Sequence, residues 1–267
     1  MPEQSGGYRT TGVSSVKEED KPVVSIISVV YNSEAYIEKT IKSVLSQIYS
    51  NIEFVIIDGG SKDKTMDIIQ KYDKSIAYWQ SEPDKGLYYA MDKGLKMATG
   101  DYVWFINSGD LIYDEQTLKN VIGEESDYAD IYYGETMNVN EDYEEIGLRR
   151  LSAPDNLNWK SFRNGMMVCH QSIIVKRKLA DNYDLKYKRS ADYDWVLKAL
   201  RKTNNIKNTR LILSRFLEGG VSGKTIPGSL KERFDIMIRN YGLVPTILRH
   251  FIIAIKFFWF WGRKGRF

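Results

Sequence analysis

From Val23 to Tyr31 the chain reads VVSIISVVY, a density of β-branched residues that suits a strand covered on both faces better than one with a wet side. Asn32 and Ser33 end the run. Beyond them Ile37, Ile41, Val44 and Leu45 recur on one helix face, Glu38 stands four residues before Lys42, and Ser33 is placed to cap the helix. A second buried strand is predicted over 52–57 and stops at Asp58, Gly59 and Gly60, after which Asp63 or Thr65 opens a short helix through Ile68 and Ile69. A third strand is predicted over 76–80, then a helix over 87–98 ended by Gly100. A fourth strand over 102–106 delivers Asn107, Ser108, Gly109 and Asp110 at its carboxyl end. This alternation is the pattern of an α/β, doubly wound parallel sheet with right-handed crossovers. After Asp110 the signals weaken to strands at 131–133, 172–175 and 210–217 and a helix at 191–200.

A chain of 267 residues holds one catalytic α/β domain with appendages. The net charge of +3 does not point to nucleic acid, but its distribution is uneven. Residues 228–267 carry eight Lys or Arg against Glu232 and Asp235, so the rest of the chain is slightly acidic. A basic tail facing an anionic partner is expected. Within it Arg249, Lys256 and Arg263 recur every seven residues, with Phe251, Ile255, Phe258, Trp259 and Trp261 on other faces. Charges inside the apolar 244–261 stretch disfavour spanning, and an amphipathic helical region is predicted over 227–267, lying in the membrane interface or, alternatively, packed on the domain or on a second subunit. The single Cys169 excludes an internal disulfide and suits a reducing, cytoplasmic setting. Residues 1–21 lack a signal-peptide core and any periodicity, and are expected to be a disordered tail.

In open parallel sheets ligands bind outside the carboxyl ends of the strands. The polar residues closing the predicted strands are Tyr31 with Asn32, Asp58, Glu82 with Asp84 and the adjacent Lys85, and Asp110. Acids converging on one crevice suit ribose hydroxyls or a divalent ion bridging phosphates, and a sugar nucleotide offers both. Neither G-x-G-x-x-G after the first strand nor G-x-x-x-x-G-K-[ST] occurs, so a diphosphate would rely on a metal.

The segments SIISVVYNSEAYIEKTIKSVLSQ (25–47), EFVIIDGGSKDKT (53–65) and SEPDKGLYYAMDKGLKMATGDYVWFINSGD (81–110) resemble the nucleotide-sugar half of glycosyltransferase family 2. The resemblance resumes at HQSIIVKR (170–177), SADYDW (190–195) and GGVS (219–222). It implies a GT-A fold over 22–226, a Rossmann-like nucleotide-sugar-binding sheet with an acceptor-side half, and inverting transfer from a nucleoside diphosphate sugar, usually UDP, to a hydroxyl. Carried over, it puts Tyr31 and Glu34 near base and ribose and Asp58 on uracil or ribose. Asp110 takes the place of the last acid of the D-x-D motif, with Mg²⁺ or Mn²⁺ as cofactor. One carboxylate, diphosphate oxygens and water can complete such an ion's oxygen shell. Ser108 and Gly109 stand where many relatives have another acid, and Tyr89 and Asp92 replace the usual acid and amide of G-x-Y-D-A-M-N-K-G.

Inversion at a hydroxyl needs a general base on the acceptor side. The resemblance implies Asp192, second residue of the Ala191-Asp192 dipeptide, with Asp194 as fallback. His170, beside Gln171, is the only histidine outside the basic tail, which holds His250. Gly219 and Gly220 match a family segment that lies across the active site. The expected partners are a UDP-sugar, a lipid-linked saccharide acceptor and a membrane surface at the inner face of the cell membrane, in surface polysaccharide assembly. Two alternatives belong to other classes. A nucleotidyltransferase would need a Gly/Arg/Lys-rich loop where YNSEAY stands, and a catalytically impaired nucleotide-sugar-binding relative would bind UDP without turnover.

Overall fold

The computed structural model describes residues 4–12, 18, 20–123, 127–219 and 226–252. In chain order the elements are β1 (Gln4–Gly6), β2 (Val24–Val30), α1 (Ile37–Leu45), β3 (Ile52–Asp58), α2 (Thr65–Lys71), β4 (Tyr78–Ser81), α3 (Leu87–Met97) and β5 (Tyr102–Phe105). Then follow β6 (Leu111–Ile112), α4 (Thr117–Ile122), β7 (Ile131–Val139), β8 (Glu145–Leu148), β9 (Ile173–Lys176), α5 (Ala191–Arg201), β10 (Ile206–Leu217) and α6 (Ile226–Tyr241), with helical backbone at 243–252. The strands make one sheet in the order β1-β4-β3-β2-β5-β9-β7-β10-β6, with β8 on β7.

β2, β3, β4 and β5 are parallel, which puts their carboxyl ends on one edge. All seven residues of β2 are buried, because each face of the sheet is roofed by a helix. Ile27, Val29, Val55 and Ile57 face the layer containing Met91 and Leu95 of α3. Val24, Ile26, Phe54 and Ile56 face Ile37, Ile41 and Val44 of α1. Full burial of each such side chain is worth about 1.5–3 kcal/mol. Gly94 of α3 has no room for a methyl group, since Ile27 and Ile57 lie where it would go, so the helix axis rides close on the strands. Antiparallel β9 sits between β5 and β7 and joins the nucleotide-type half to the second half, where β7 and β10 are again parallel.

Two expectations change at the ends of the chain. Gln4–Gly6, expected to lie in a disordered tail, extends the sheet by pairing antiparallel with β4, and Tyr8 N and Arg9 N donate to Ile76 O and Ala77 O at 3.0 and 3.1 Å. The physical cause lies in β3. Glu53 is buried to 3% exposure, accepts from Ser25 Oγ, Thr99 N and Thr99 Oγ1 at 2.5, 2.7 and 2.5 Å, and receives the Arg9 guanidinium at 3.0 Å. At the other end α6, expected to belong to a separate amphipathic tail, packs into the body. Its Ile236, Met237 and Tyr241 are buried in the same core as Trp195 and Leu197 of α5. Ser33 does not cap α1 with its side chain either, because its Oγ is drawn to Ser108 Oγ at 2.7 Å, while its carbonyl accepts from Tyr36 N and Ile37 N.

Burial pushes the Glu53 carboxyl up, but the hydrogen bonds from Ser25 and Thr99 and the charge of Arg9 outweigh it and hold it below its ordinary 4.5. A carboxyl with a depressed folded pKa contributes stability that is complete above the unfolded value and lost as pH falls through the folded one. Glu53→Gln should therefore melt about 4–8 °C below wild type at pH 7, for a loss of roughly 2 kcal/mol. In calorimetry from pH 7 to pH 3 the gap should close below 4.5; a constant gap would show that the charge contributes nothing.

Candidate active site

The loop after β2 and the loop after β3 are laced together at the carboxyl edge of the sheet. Asn32 takes a left-handed φ of 45°, donates its N–H to Ser61 Oγ at 2.8 Å and accepts from Lys62 N on Oδ1 at 2.8 Å. Ser33 N donates to Thr65 Oγ1, and Glu34 Oε2 accepts from Lys64 N at 2.9 Å. These cross-ties leave Tyr31 outside, 62% exposed, with its ring beside Gly59. Asp58 is buried and accepts from Gly60 N, Ser61 N and Ser81 Oγ on Oδ2 and from Ser61 Oγ on Oδ1, so it shapes the turn below the tyrosine. Opposite Gly59 lies Asp84, whose Oδ1 is bound by Lys93 of α3, while its buried Oδ2 has no partner. Burial pushes the Asp84 carboxyl up against the pull of Lys93. Lys93 also holds Glu82 at 2.6 Å, and Lys85 is exposed on the loop before α3. Tyr31, Gly59 and Asp84 thus stand together at the carboxyl edge of β2 and β3.

Asp110 follows β5 and is 6% exposed. Its Oδ2 accepts from Gln171 Nε2 at 2.8 Å and its Oδ1 from Leu217 N at 3.2 Å. Burial pushes its pKa up to about 6, partly offset by the Gln171 hydrogen bond and the field of His170. The backbone around it is pinned as well. Thr40 Oγ1 donates to Asp110 O and accepts from Gly109 N, and Tyr143 OH donates to Gly109 O at 3.0 Å. Gly109 has φ 99°, and a side chain there would press on Leu217, which explains a glycine where an acid is common. Among the described residues no group of three or more His, Cys, Asp or Glu side chains is arranged to hold a metal ion. Asp110 nevertheless suits one hard cation: each oxygen has spare acceptor capacity, no cationic side chain is paired with it, and a diphosphate would bring further oxygens.

The second acid comes from α5. Asp192 is the second residue of that helix, and Ser190 occupies the N-cap position. Its Oδ1 accepts from Tyr88 OH at 2.9 Å and its Oδ2 lies 3.5 Å from His170 Nδ1. Neighbours Ala191, Tyr193 and Asp194 are buried, whereas the Asp192 side chain is 14% exposed. Burial pushes its carboxyl up, yet the contacts with His170 and Tyr88 and the charge of Arg233 prevail and hold it below the usual carboxylate range. It is therefore ionised at neutral pH. The start of α5 is set from α6, where Glu232 accepts from Lys188 N, Arg189 N and Ser190 N at 3.0, 2.8 and 2.9 Å.

His170 and Gln171 sit on one 3-10 turn and diverge, His170 toward Asp192 and Gln171 toward Asp110. The other ring nitrogen of His170 is 3.4 Å from Asn107 Nδ2, whose Oδ1 is buried without a partner. Asp194 does not join this group, since it pairs with Lys198 one turn along at 2.6 Å. Gly219 is exposed with φ 93°, and Gly220 lies outside the described residues. Asp92 accepts from Tyr183 N and pairs with Lys96, which anchors α3 to the loop before α5. Tyr88 and Tyr143 were not expected from the sequence, and Asn107 was expected only as a residue closing the fourth strand. Tyr88 and Asp92 stand one turn apart on α3, the spacing of a shared face, and that was the available signal for Tyr88.

A family model described as glycosyl transferase family 2 matches residues 25–183. An uncharacterized glycosyltransferase of Mycobacterium tuberculosis (strain ATCC 25618 / H37Rv) is 30% identical over 224 residues, 80% of this chain and 84% of that protein. A PGL/p-HBAD biosynthesis glycosyltransferase of Mycobacterium bovis (strain BCG / Pasteur 1173P2) is 28% identical over 240 residues, 85% of this chain and 90% of the relative. Among solved structures, S. aureus TarS 1-349 aligns with a TM-score of 0.64 at 19% identity, over 86% of this chain and 72% of TarS 1-349. The same fragment in complex with UDP-GlcNAc aligns at 0.61 and 19% identity, over 81% and 66%. The fold is thus the mixed α/β architecture of GT-A enzymes, and the chain belongs to glycosyl transferase family 2 as a glycosyltransferase.

Proposed function

We propose that the protein is an inverting transferase that moves a hexose or N-acetylhexosamine from a UDP-sugar to a hydroxyl of a lipid-linked saccharide, working at the cytoplasmic face of a membrane. The observation that carries this reading is the ionised, largely buried Asp192 held by Tyr88 and His170 across the same turn that holds Asp110. Support for the donor comes from the exposed Tyr31 ring beside Gly59 and Asp84 at the carboxyl edge of the sheet and from the UDP-GlcNAc complex of the structural neighbour. Support for the acceptor class comes from the relative named for PGL/p-HBAD biosynthesis. No helix among the described residues is long and apolar enough to cross a membrane, and attachment falls to the basic region from residue 227 onward.

In this mechanism Tyr31 and Asp84 position the nucleoside, and Asp192 accepts the proton of the acceptor hydroxyl as its oxygen attacks the anomeric carbon opposite UDP. Tyr88 and His170 fix the carboxylate's orientation for that transfer. Mg²⁺ or Mn²⁺ held by Asp110 and the diphosphate would neutralise charge on the leaving UDP.

Asp192→Asn keeps the shape and cannot take the proton. Sugar transfer should fall by about 10²–10⁴ while UDP binding and melting temperature stay near wild type. Near-normal transfer would remove Asp192 as base and turn attention to Asp194 or His170, whereas UDP binding by a wild type that transfers no sugar to any acceptor would favour the impaired binding relative. A second experiment addresses the metal by calorimetry of UDP binding with Mn²⁺ and with EDTA. Wild type should bind more tightly with Mn²⁺, and Asp110→Asn should lose that difference; wild-type affinity indifferent to EDTA would rule out the metal.

A further inference from the structure

The helix at 243–252 is turned inside out for a protein in water. Thr246 is 1% exposed and His250 packs edge-on against Phe234 at 5.1 Å, so the polar side faces the body. Outward stand Leu243, Val244, Ile247, Leu248, Phe251 and Ile252, with Val244 66% and Phe251 65% exposed. Their spacing of four within 243, 247, 251 and within 244, 248, 252 makes one continuous stripe. A face of this kind marks a docking surface for something apolar.

The border of the stripe is cationic. A cleft of about 340 Å³ separates the helix from the 3-10 turn at Trp159–Asn164, lined by Pro245, Leu248 and Ile252 on one side and by Lys160, Arg163 and Arg249. Among the described residues none of these three cations has a carboxylate within ion-pair distance, and the Nε groups of Arg163 and Arg249 are buried without a hydrogen-bond partner. The cleft is also firmly built. Trp159 and Tyr241 stack at 5.4 Å, Tyr241 OH donates to Trp159 O at 2.6 Å, and Arg163 lies over the Tyr241 ring at 4.8 Å. An apolar stripe edged by unpaired guanidinium and ammonium groups matches acyl chains beside phosphate headgroups.

We infer that this cleft and stripe form a headgroup-reading face that seats the enzyme on an anionic phospholipid bilayer, with phosphates held by Lys160, Arg163 and Arg249 and the stripe in the acyl boundary. The inference rests on the membrane reading given above and locates the contact on the folded body. Two copies of the chain packed stripe to stripe would instead bring six unpaired cations together. From residue 236 to the C-terminus the sequence holds Arg239, Arg249, Lys256, Arg263, Lys264 and Arg266 and no acid, with Trp259 and Trp261 among them. That charge complements an anionic surface, and tryptophan favours the interfacial layer.

The test is flotation of the full chain with vesicles of phosphatidylcholine alone or mixed with phosphatidylglycerol, alongside sedimentation velocity. Wild type should float with the mixed vesicles, and the double variant Lys160→Glu/Arg249→Glu should bind them about tenfold or more weakly, since each basic residue near such a surface contributes about fivefold. UDP binding and melting temperature of the variant should match wild type, which establishes that it is folded. A folded variant that floats as well as wild type overturns the cleft while leaving a membrane role for the rest of the tail. Wild type that ignores both vesicles, or that sediments as a dimer through this face, overturns the membrane reading itself without touching the transferase assignment.

Discussion

A carboxylate placed in a nearly dry site at the end of a central strand must be given donors, and the layout around Asp110 follows from that need. Its two oxygens are satisfied by Gln171 from the turn before β9 and by the backbone of Leu217 at the end of β10. The turn leading into the strand inserted between the halves and the carboxyl end of β10 therefore meet on one residue. Thr40 of α1 and Tyr143 beyond β7 hold the flanking backbone, so four remote segments converge on the Asn107–Asp110 loop. These bonds satisfy polarity without neutralising charge, and burial leaves the group poised near pH 6.

The turn at His170–Gln171 makes this constraint productive. Two adjacent side chains reach in different directions, one to each acid, so Asp110 and Asp192 are registered through a single peptide. Tyr88 gives Asp192 a second contact from α3, on the donor side of the crevice. Glu232 of α6 then binds the three backbone amides that precede α5. The C-terminal region thus shapes the start of α5, and the same region leads into the apolar stripe at 243–252.

Electrostatics separates the two acids by environment. Asp110 faces hydrogen-bond donors with little cationic help and is pushed up, whereas Asp192 gains from His170, Tyr88 and Arg233 and is held down. The two carboxyls are thus shifted in opposite directions, Asp110 by burial and Asp192 by partners that outweigh its burial.

The repeating strand–helix signals from Val23 to Asp110 were legible because burial on both faces leaves an unbroken apolar run and because helix faces repeat locally. Strand-terminal acids could be named from the same rule that places ligands at the carboxyl edge. The sequence by itself therefore determined the parallel half and its strand ends. Pairings between residues distant in the chain were decided only by the tertiary structure. Arg9 drawn onto Glu53, Ser33 diverted from helix capping to Ser108, Tyr88 bound to Asp192, and Glu232 capping a different helix all span from 44 to 104 residues of chain. Local pattern carries no information about such partners, because the free energy that selects them comes from satisfying a buried polar group with whichever donor the completed sheet brings within reach.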